Sequence, residues 1–272
     1  MIIKNVIKNI KRYGVISLIG RFSKRFLGFK ILDPIQKKRA FLSKEIEKIT
    51  SGKVVSGIYS DTKFINSSNY FLAKSSQLLG FYELEVQNEI YRLSSNFKLE
   101  YFINLGAGEG YHSVGSMHKK LFEKCITFEA EKENNKTINK NYEINNIKNF
   151  TIKEFDNNNF LDEINDEIEL NKSLFLFDIE GSEFDILNRK NLELLKKSFL
   201  IIEIHHFYSD QLSIKKLKEN LNYFYEVKYI KTSSRNFSDI KILDKFNDDE
   251  KWLMMSESRP ETMQWIVCEP KI

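Results

Sequence analysis

Phe102-Ile103-Asn104-Leu105-Gly106-Ala107-Gly108-Glu109-Gly110-Tyr111 is the stretch that decides the fold. An apolar run meets glycines at 106, 108 and 110, and a helical pattern over 111–121 follows. This reads as strand, tight turn, helix. The glycines let the backbone turn sharply and come close to a ligand. The spacing is G-x-G-x-G. A loop that seats a dinucleotide pyrophosphate has G-x-G-x-x-G, and its last glycine would fall at Tyr111. The pyrophosphate fit is therefore poor.

Working outward, short apolar runs alternate with helical stretches. Strands are predicted at Tyr101–Leu105, Lys124–Phe128, Phe150–Lys153, Leu174–Asp178 and Phe199–Ile204, and helices near 111–121, 132–145, 182–197 and 212–221. That alternation implies a parallel sheet with helical crossovers. A run such as Leu174-Phe175-Leu176-Phe177 suits a strand covered on both faces. Residues 40–97 read as mainly helical, with a short strand at Val54–Tyr59 and a helix from Gly80 through Leu93. At the other end, Trp252–Ser256 and Met263–Val267 read as an antiparallel hairpin.

Carboxylates gather where these strands end. Glu129 ends the second strand, 23 residues after Gly106, where an acid can hold ribose hydroxyls. Asp178 and Glu180 stand two apart after the Leu174 run and share a face. Gly181 permits a turn, Ser182 is a candidate N-cap with Asp185 as its capping-box partner, and Glu183 and Asp185 favour the helix dipole. Glu203 and His205 share a face at the end of the next strand. Asp178, Glu180, Glu203 and His205 can thus converge at one sheet edge, as a general base or, with Asp178, Glu203 and His205, as ligands of a divalent metal. His112, after the glycine loop, is a further candidate base. Arg259 reads either as a solvated turn residue or as a binder of an anionic group.

The G-x-G-x-G loop resembles the first motif of class I S-adenosylmethionine-dependent methyltransferases. Asn-Leu-Gly-Ala-Gly-Glu-Gly-Tyr at 104–111, Phe-Glu-Ala at 128–130, Asp-Ile-Glu-Gly-Ser-Glu at 178–183 and Ile-Glu-Ile-His at 202–205 together resemble the FkbM-type methyltransferase family, over residues 80–270. The Asp-x-Glu-Gly-x-Glu block is the most specific part. Asn104 departs from the acid that many class I enzymes have there. The segments Gly80–Val86 and Met255–Pro260 resemble those of members linked to surface-glycan pathways.

The resemblance implies an α/β fold with a Rossmann-like sheet of seven strands, the last antiparallel. A mainly helical, basic N-terminal extension (1–80) would precede an S-adenosylmethionine-binding domain (81–272). Asn104, Gly106, Ala107, Gly108, Gly110, Tyr111, Glu129, Ala130 and Asp178 would bind S-adenosylmethionine, with Asp156 at the adenine. Asp178, Glu180 or His205 would serve as catalytic base. The implied reaction is O-methylation of a sugar hydroxyl in a polysaccharide pathway. A nucleotide-cofactor oxidoreductase and a non-catalytic glycan-pathway module are the alternatives.

Composition narrows the partners. The 272 residues are 42% hydrophobic and 13% aromatic, enough for a buried core and against disorder. Cys125 and Cys268 are the only cysteines, too few for a disulfide framework or a cysteine-rich zinc site. Residues 1–40 hold eleven Lys or Arg against Asp33 alone, a net of +10, whereas the remainder sums to −6. A nucleic-acid groove across the main body is therefore disfavoured. In the basic arm, Ile3, Val6, Ile7 and Ile10 share one helical face and Lys4, Lys8, Lys11 and Arg12 another. That pattern fits either a peripheral membrane contact through residues 1–30 or a helix packed on its own domain. A cytoplasmic protein with a small-molecule or glycan acceptor is the expectation.

Overall fold

The computed structural model describes residues 33–65, 72–155, 160–164, 166–205, 211–259 and 261–271. The basic arm before Asp33 and the proposed adenine contact Asp156 lie outside the described residues.

Seven strands form one sheet in the order β3-β2-β1-β4-β5-β7-β6. They are β1 (Tyr101–Leu105), β2 (Lys124–Glu129), β3 (Phe150–Glu154), β4 (Ser173–Phe177), β5 (Phe199–Glu203), β6 (Tyr225–Lys231) and β7 (Gln264–Pro270). The first five pair in parallel, and β7 runs antiparallel to both β5 and β6. The expected α/β sheet with a reversed last strand is therefore present. β1 lies between β2 and β4, so the chain order reverses there. Such a reversal opens a crevice beyond the carboxyl ends of the strands.

Burial on both faces explains why the central strands are apolar throughout. Phe102, Cys125, Leu174, Ile201 and Val267 pack on one side with Val86, Ile90 and Val114. Ile103, Phe128, Phe175, Leu200 and Ile266 pack on the other with Leu192, Leu217 and Leu221. Alternate residues of one strand thus serve opposite layers.

The helices are α1 (Pro34–Thr50), α2 (Lys74–Leu78), α3 (Leu84–Phe97), α4 (Tyr111–His118), α5 (Lys132–Ile144), α6 (Glu183–Ile186), α7 (Arg189–Leu195), α8 (Gln211–Phe224) and α9 (Asp248–Met255). Sequence sets the start of α1. Asp33 accepts from the Gln36 amide at 2.8 Å, the Gln36 side chain returns the bond, and Pro34 opens the helix. Leu42 and Ile46 of α1 then pack with Leu78, Leu79, Leu243, Met254 and Met255. The segment before the sheet is thereby fastened to the last helix. Ser75 Oγ donates to the Met254 carbonyl at 2.8 Å, and Lys38 pairs with Glu250 at 2.6 Å.

Four local expectations need correction. The hairpin at 252–267 does not form. Trp252–Met255 belongs to α9, started by a capping box between Asn247 and Glu250. The antiparallel partners of β7 are β5 and β6, and β6 carries an alternation, Tyr225-Glu-Val-Lys-Tyr-Ile-Lys, that the sequence reading passed over. Val54–Tyr59 is a loop, because positive φ at Gly57 and Asp61 turns the chain back so that the Val54 amide donates to the Thr62 carbonyl at 2.9 Å and the Val54 carbonyl accepts from the Asp61 amide at 2.8 Å. The stretch from 182 to 197 is two short helices, since Asn188 caps a new start by accepting from the Asn191 amide at 3.1 Å. The helix read from Gly80 begins at Leu84.

Leu42 is fully buried between α1 and its neighbours. Leu42→Ala is expected to cost about 2–5 kcal/mol in a single cooperative transition, read by urea unfolding. A separate early transition that leaves the sheet folded would show that α1 is an independent unit.

Candidate active site

The loop after β1 is pinned to its neighbours by backbone contacts. Gly106 has φ of 80°, and a Cβ there would lie 1.7 Å from the Asp178 carbonyl oxygen. Only glycine fits that approach. The amides of Gly106 and Ala107 both donate to the Phe128 carbonyl, at 2.9 and 3.2 Å. Gly110, at φ 83°, turns the chain into α4.

Glu129 reaches this loop from the end of β2. Its Oε2 accepts from the Gly108 amide at 2.7 Å, and its Oε1 accepts from the Glu131 amide at 2.9 Å. Each oxygen keeps a second lone pair for a ligand hydroxyl. Ala130, next along, is exposed. Tyr111, in place of a final glycine, is a structural anchor. It is buried, stacks edge-on with Tyr59 and Tyr82, and donates to the Gln77 carbonyl at 3.0 Å.

A cavity of 230 Å³ lies between this loop and the end of β4, with Gln77, Asn104, Glu109, His112, Asp178 and Arg259 in its wall. Three buried side-chain oxygens of that wall have no hydrogen-bond partner among the described residues: Gln77 Oε1, Asn104 Oδ1 and Glu109 Oε2. All three are acceptors. Asn104 spends its donor on Ser113 Oγ at 2.8 Å, and Glu109 Oε1 faces the buried Lys74 ammonium at 3.4 Å. An orphaned buried acceptor is costly unless a ligand supplies a donor.

The acids at the ends of β4 and β5 gather around His205. Its Nε2 lies 3.4 Å from Asp178 Oδ1 and 3.7 Å from Glu180 Oε2, and its Nδ1 lies 3.1 Å from Glu183 Oε1. Burial alone would lower the His205 pKa, but the hydrogen bonds to Asp178 and Glu183 outweigh it and raise it to about 10. His205 is therefore an imidazolium at neutral pH. In that form it has no lone pair for a proton, which leaves Asp178 as the candidate base that faces the cavity.

Glu183 also departs from its expected role. It is fully buried, accepts from the Gly181 amide at 2.8 Å and the His205 amide at 3.1 Å, and so builds the turn rather than serving a helix dipole. Ser182 makes no capping bond. Glu180 adopts φ 52° and its side chain is 73% exposed at the cavity mouth.

Asp178, Glu203 and His205 do bring one donor atom each within 4.8 Å of one another. Two cations already stand in this cluster, the His205 imidazolium and the Arg259 guanidinium on Glu203 Oε1 at 2.6 Å. The protein thus balances the carboxylates itself. Burial, then the charge of Asp178, pushes the Glu203 carboxyl well above its usual range.

Arg259 is neither solvated nor free for an anion. It also binds Glu83, and Glu257 Oε2 at 3.0 Å. Glu83 in turn holds His112 Nε2 at 2.7 Å, and Tyr59 meets Nδ1 at 3.2 Å. Burial depresses the His112 pKa to about 4, so His112 stays neutral with both ring nitrogens engaged. Sequence reasoning missed Gln77, Glu83 and Glu257. Gln77 lies in a segment that no motif marks, whereas Glu83 and Glu257 lie within the Gly80–Val86 and Met255–Pro260 segments, where the resemblance gave neither acid a role.

Residues 57–241 match the family described as Methyltransferase FkbM domain. No curated protein matches the chain. Among solved structures, the chain is similar to the METTL16 MTase domain, with 14% identity over 88% of this chain and 82% of that one and a TM-score of 0.54. It is also similar to the O-methyltransferase from Bacillus cereus in complex with SAH, with 11% identity over 94% and 98% of the two chains and a TM-score of 0.46. The METTL16 likeness speaks to fold alone.

The two buried histidines are expected to titrate at opposite extremes in an imidazole NMR titration, His112 near pH 4 and His205 near pH 10. The His205 pKa is raised above the ordinary histidine value of 6.5, so its stabilisation is full below that pH and is lost as pH rises through about 10. His205→Gln is therefore less stable than the native chain at pH 7, and the gap closes above pH 10. A gap that stays constant across that range would contradict the imidazolium.

Proposed function

The chain belongs to the FkbM methyltransferase family, and from that premise we propose that it transfers a methyl group from S-adenosylmethionine to a sugar hydroxyl in a glycan or surface-polysaccharide pathway. The observation that carries the cofactor is the set of orphaned acceptors. Gln77, Asn104 and Glu109 line one cavity, and Gln77 Oε1, Asn104 Oδ1 and Glu109 Oε2 lack donors among the described residues. The methionine end of S-adenosylmethionine carries a carboxylate, but it also brings an ammonium with three N–H donors and a positive sulfonium, and these two groups fit such a wall. The pyrophosphate of a nicotinamide cofactor would set anionic oxygens against these same acceptors, which disfavours the oxidoreductase.

The remaining parts of the cofactor find matching groups. Glu129 stands at the end of β2 with lone pairs for the ribose hydroxyls, and Gly106 and Gly108 keep the loop backbone close to the ligand. When bound, S-adenosylmethionine supplies a methyl group on positively charged sulfur, the electrophile for an in-line displacement by oxygen.

The chain's own residues handle the proton. Asp178 has 30% of its side chain exposed and lines the cavity, with His205 Nε2 fixing its orientation at 3.4 Å. It accepts the proton as the acceptor hydroxyl attacks, and the imidazolium beside it holds the carboxylate in place. Glu180, at the mouth, offers a second carboxylate through which that proton reaches solvent. Alignment of hydroxyl and methyl within a walled cavity contributes through proximity.

Asp178→Asn is expected to lower kcat by about 10²–10⁴-fold and leave the S-adenosylmethionine Kd within a few-fold, measured by methyl transfer and by calorimetry on the same preparation. Glu129→Ala is expected to weaken binding of S-adenosylmethionine by about 10–100-fold. A native chain that binds no S-adenosylmethionine would overturn the reading. Cofactor binding without methyl transfer to any glycan would favour the non-catalytic module.

A further inference from the structure

A second hollow, of 360 Å³, opens beside the cofactor cavity. Glu257 and Arg259 line both, so the two share a wall. The hollow is formed by the segment after β6, the end of α9 and the turn that leads into β7.

Its charges are already spent. Arg235 donates to Glu85 at 2.5 Å and to Glu257 at 2.9 Å, and Arg259 is held by Glu83, Glu203 and Glu257. Ser233 donates its hydroxyl to Glu85 at 2.7 Å, and Ser256 Oγ accepts from Arg39 at 2.8 Å. What faces a ligand is the indole of Trp252 and the hydroxyls of Ser234 and Thr262, which make no hydrogen bond among the described residues. Trp252 is 52% exposed, and Phe237 holds its ring edge-on, at 5.2 Å between centroids and 85° between planes.

These features select a ligand class. Among the described residues, an anionic group meets no unpaired cation here. A neutral, hydroxyl-rich ring fits. Its C–H face packs on the indole, as an apolar surface does on an aromatic plane, and its hydroxyls meet Ser234 and Thr262. We propose that this hollow is the acceptor subsite and that it seats a neutral pyranose on Trp252, so that a hydroxyl of the same or the adjoining sugar reaches Asp178 past Arg259. This rests on the methyl-transfer reading and adds where and how the acceptor is held.

The test is saturation-transfer NMR on the full chain with S-adenosylhomocysteine bound, using methyl glucoside, methyl galactoside and methyl rhamnoside as probes. The native chain is expected to saturate the ring protons of at least one probe. Trp252→Ala is expected to weaken that probe's apparent affinity about tenfold, equivalent to about 1.4 kcal/mol for one stacking contact, while Trp252→Phe retains most of it. No saturation of any probe by the native chain, or an unchanged response in Trp252→Ala, overturns the subsite. Calorimetric titration of each preparation with S-adenosylhomocysteine serves as the control for folding. S-adenosylhomocysteine binding without sugar contact sinks the subsite alone, whereas a native chain that binds no S-adenosylhomocysteine sinks the methyl-transfer reading itself.

Discussion

The Arg259 guanidinium lies among the carboxylates of Glu83, Glu203 and Glu257, and the shape of both cavities follows from that clustering. The side chains of these acids are between 0 and 6% exposed, so none can be left charged without a partner. Removal of one member of such a buried set typically costs about 3–5 kcal/mol, because a charge is stranded out of water. Glu83 comes from the turn before α3, Glu203 from the end of β5 and Glu257 from the turn after α9. Glu257 also accepts the Glu83 backbone amide at 3.0 Å, where Glu83 takes φ of 46°. The start and the end of the described chain are thereby locked across the same sheet edge.

That lock divides the chemistry between two sides. On one side, β1, β2 and α2 present a glycine loop, a ribose-competent carboxylate and three acceptors without donors among the described residues, an arrangement suited to an ammonium and a sulfonium. On the other, β4 and β5 present Asp178 beside the His205 imidazolium, an arrangement suited to receiving a proton. The two histidines near the cavity are driven in opposite directions by their surroundings. His112 is buried with Glu83 and stays neutral, whereas His205 is ringed by three carboxylates and stays charged. Residue type alone did not assign their roles.

Much of the sheet was legible because a strand buried on both faces must be apolar throughout, and such runs stand out at 101–105, 124–128, 174–177 and 199–203. The glycine loop was legible for a steric reason, since a Cβ at Gly106 would strike the Asp178 carbonyl. Glu129 was legible because its position at a strand end, with the glycine loop before it, has few other uses. What escaped depends on distant contacts. Glu183 read as a helix-dipole acid because its burial beneath His205 comes only with the packing of β4 against β5. Arg259 read as a solvated turn residue or a binder of an anionic group because two of its three acidic partners lie 56 and 176 positions away. β6 escaped because Glu226, Lys228 and Lys231 interrupt its apolar residues, and its place was given to a hairpin that α9 forbids.

The most direct measurement compares the calorimetric affinities of the native chain for S-adenosylmethionine and for 5′-methylthioadenosine, which shares the adenosine and the sulfur but lacks the amino-acid end and the sulfonium charge. An acceptor-lined cavity built for a cationic methionine head predicts that S-adenosylmethionine binds at least about tenfold more tightly. Equal affinities would mean that Gln77, Asn104 and Glu109 receive no donor from the cofactor, and would contradict the assignment of this cavity.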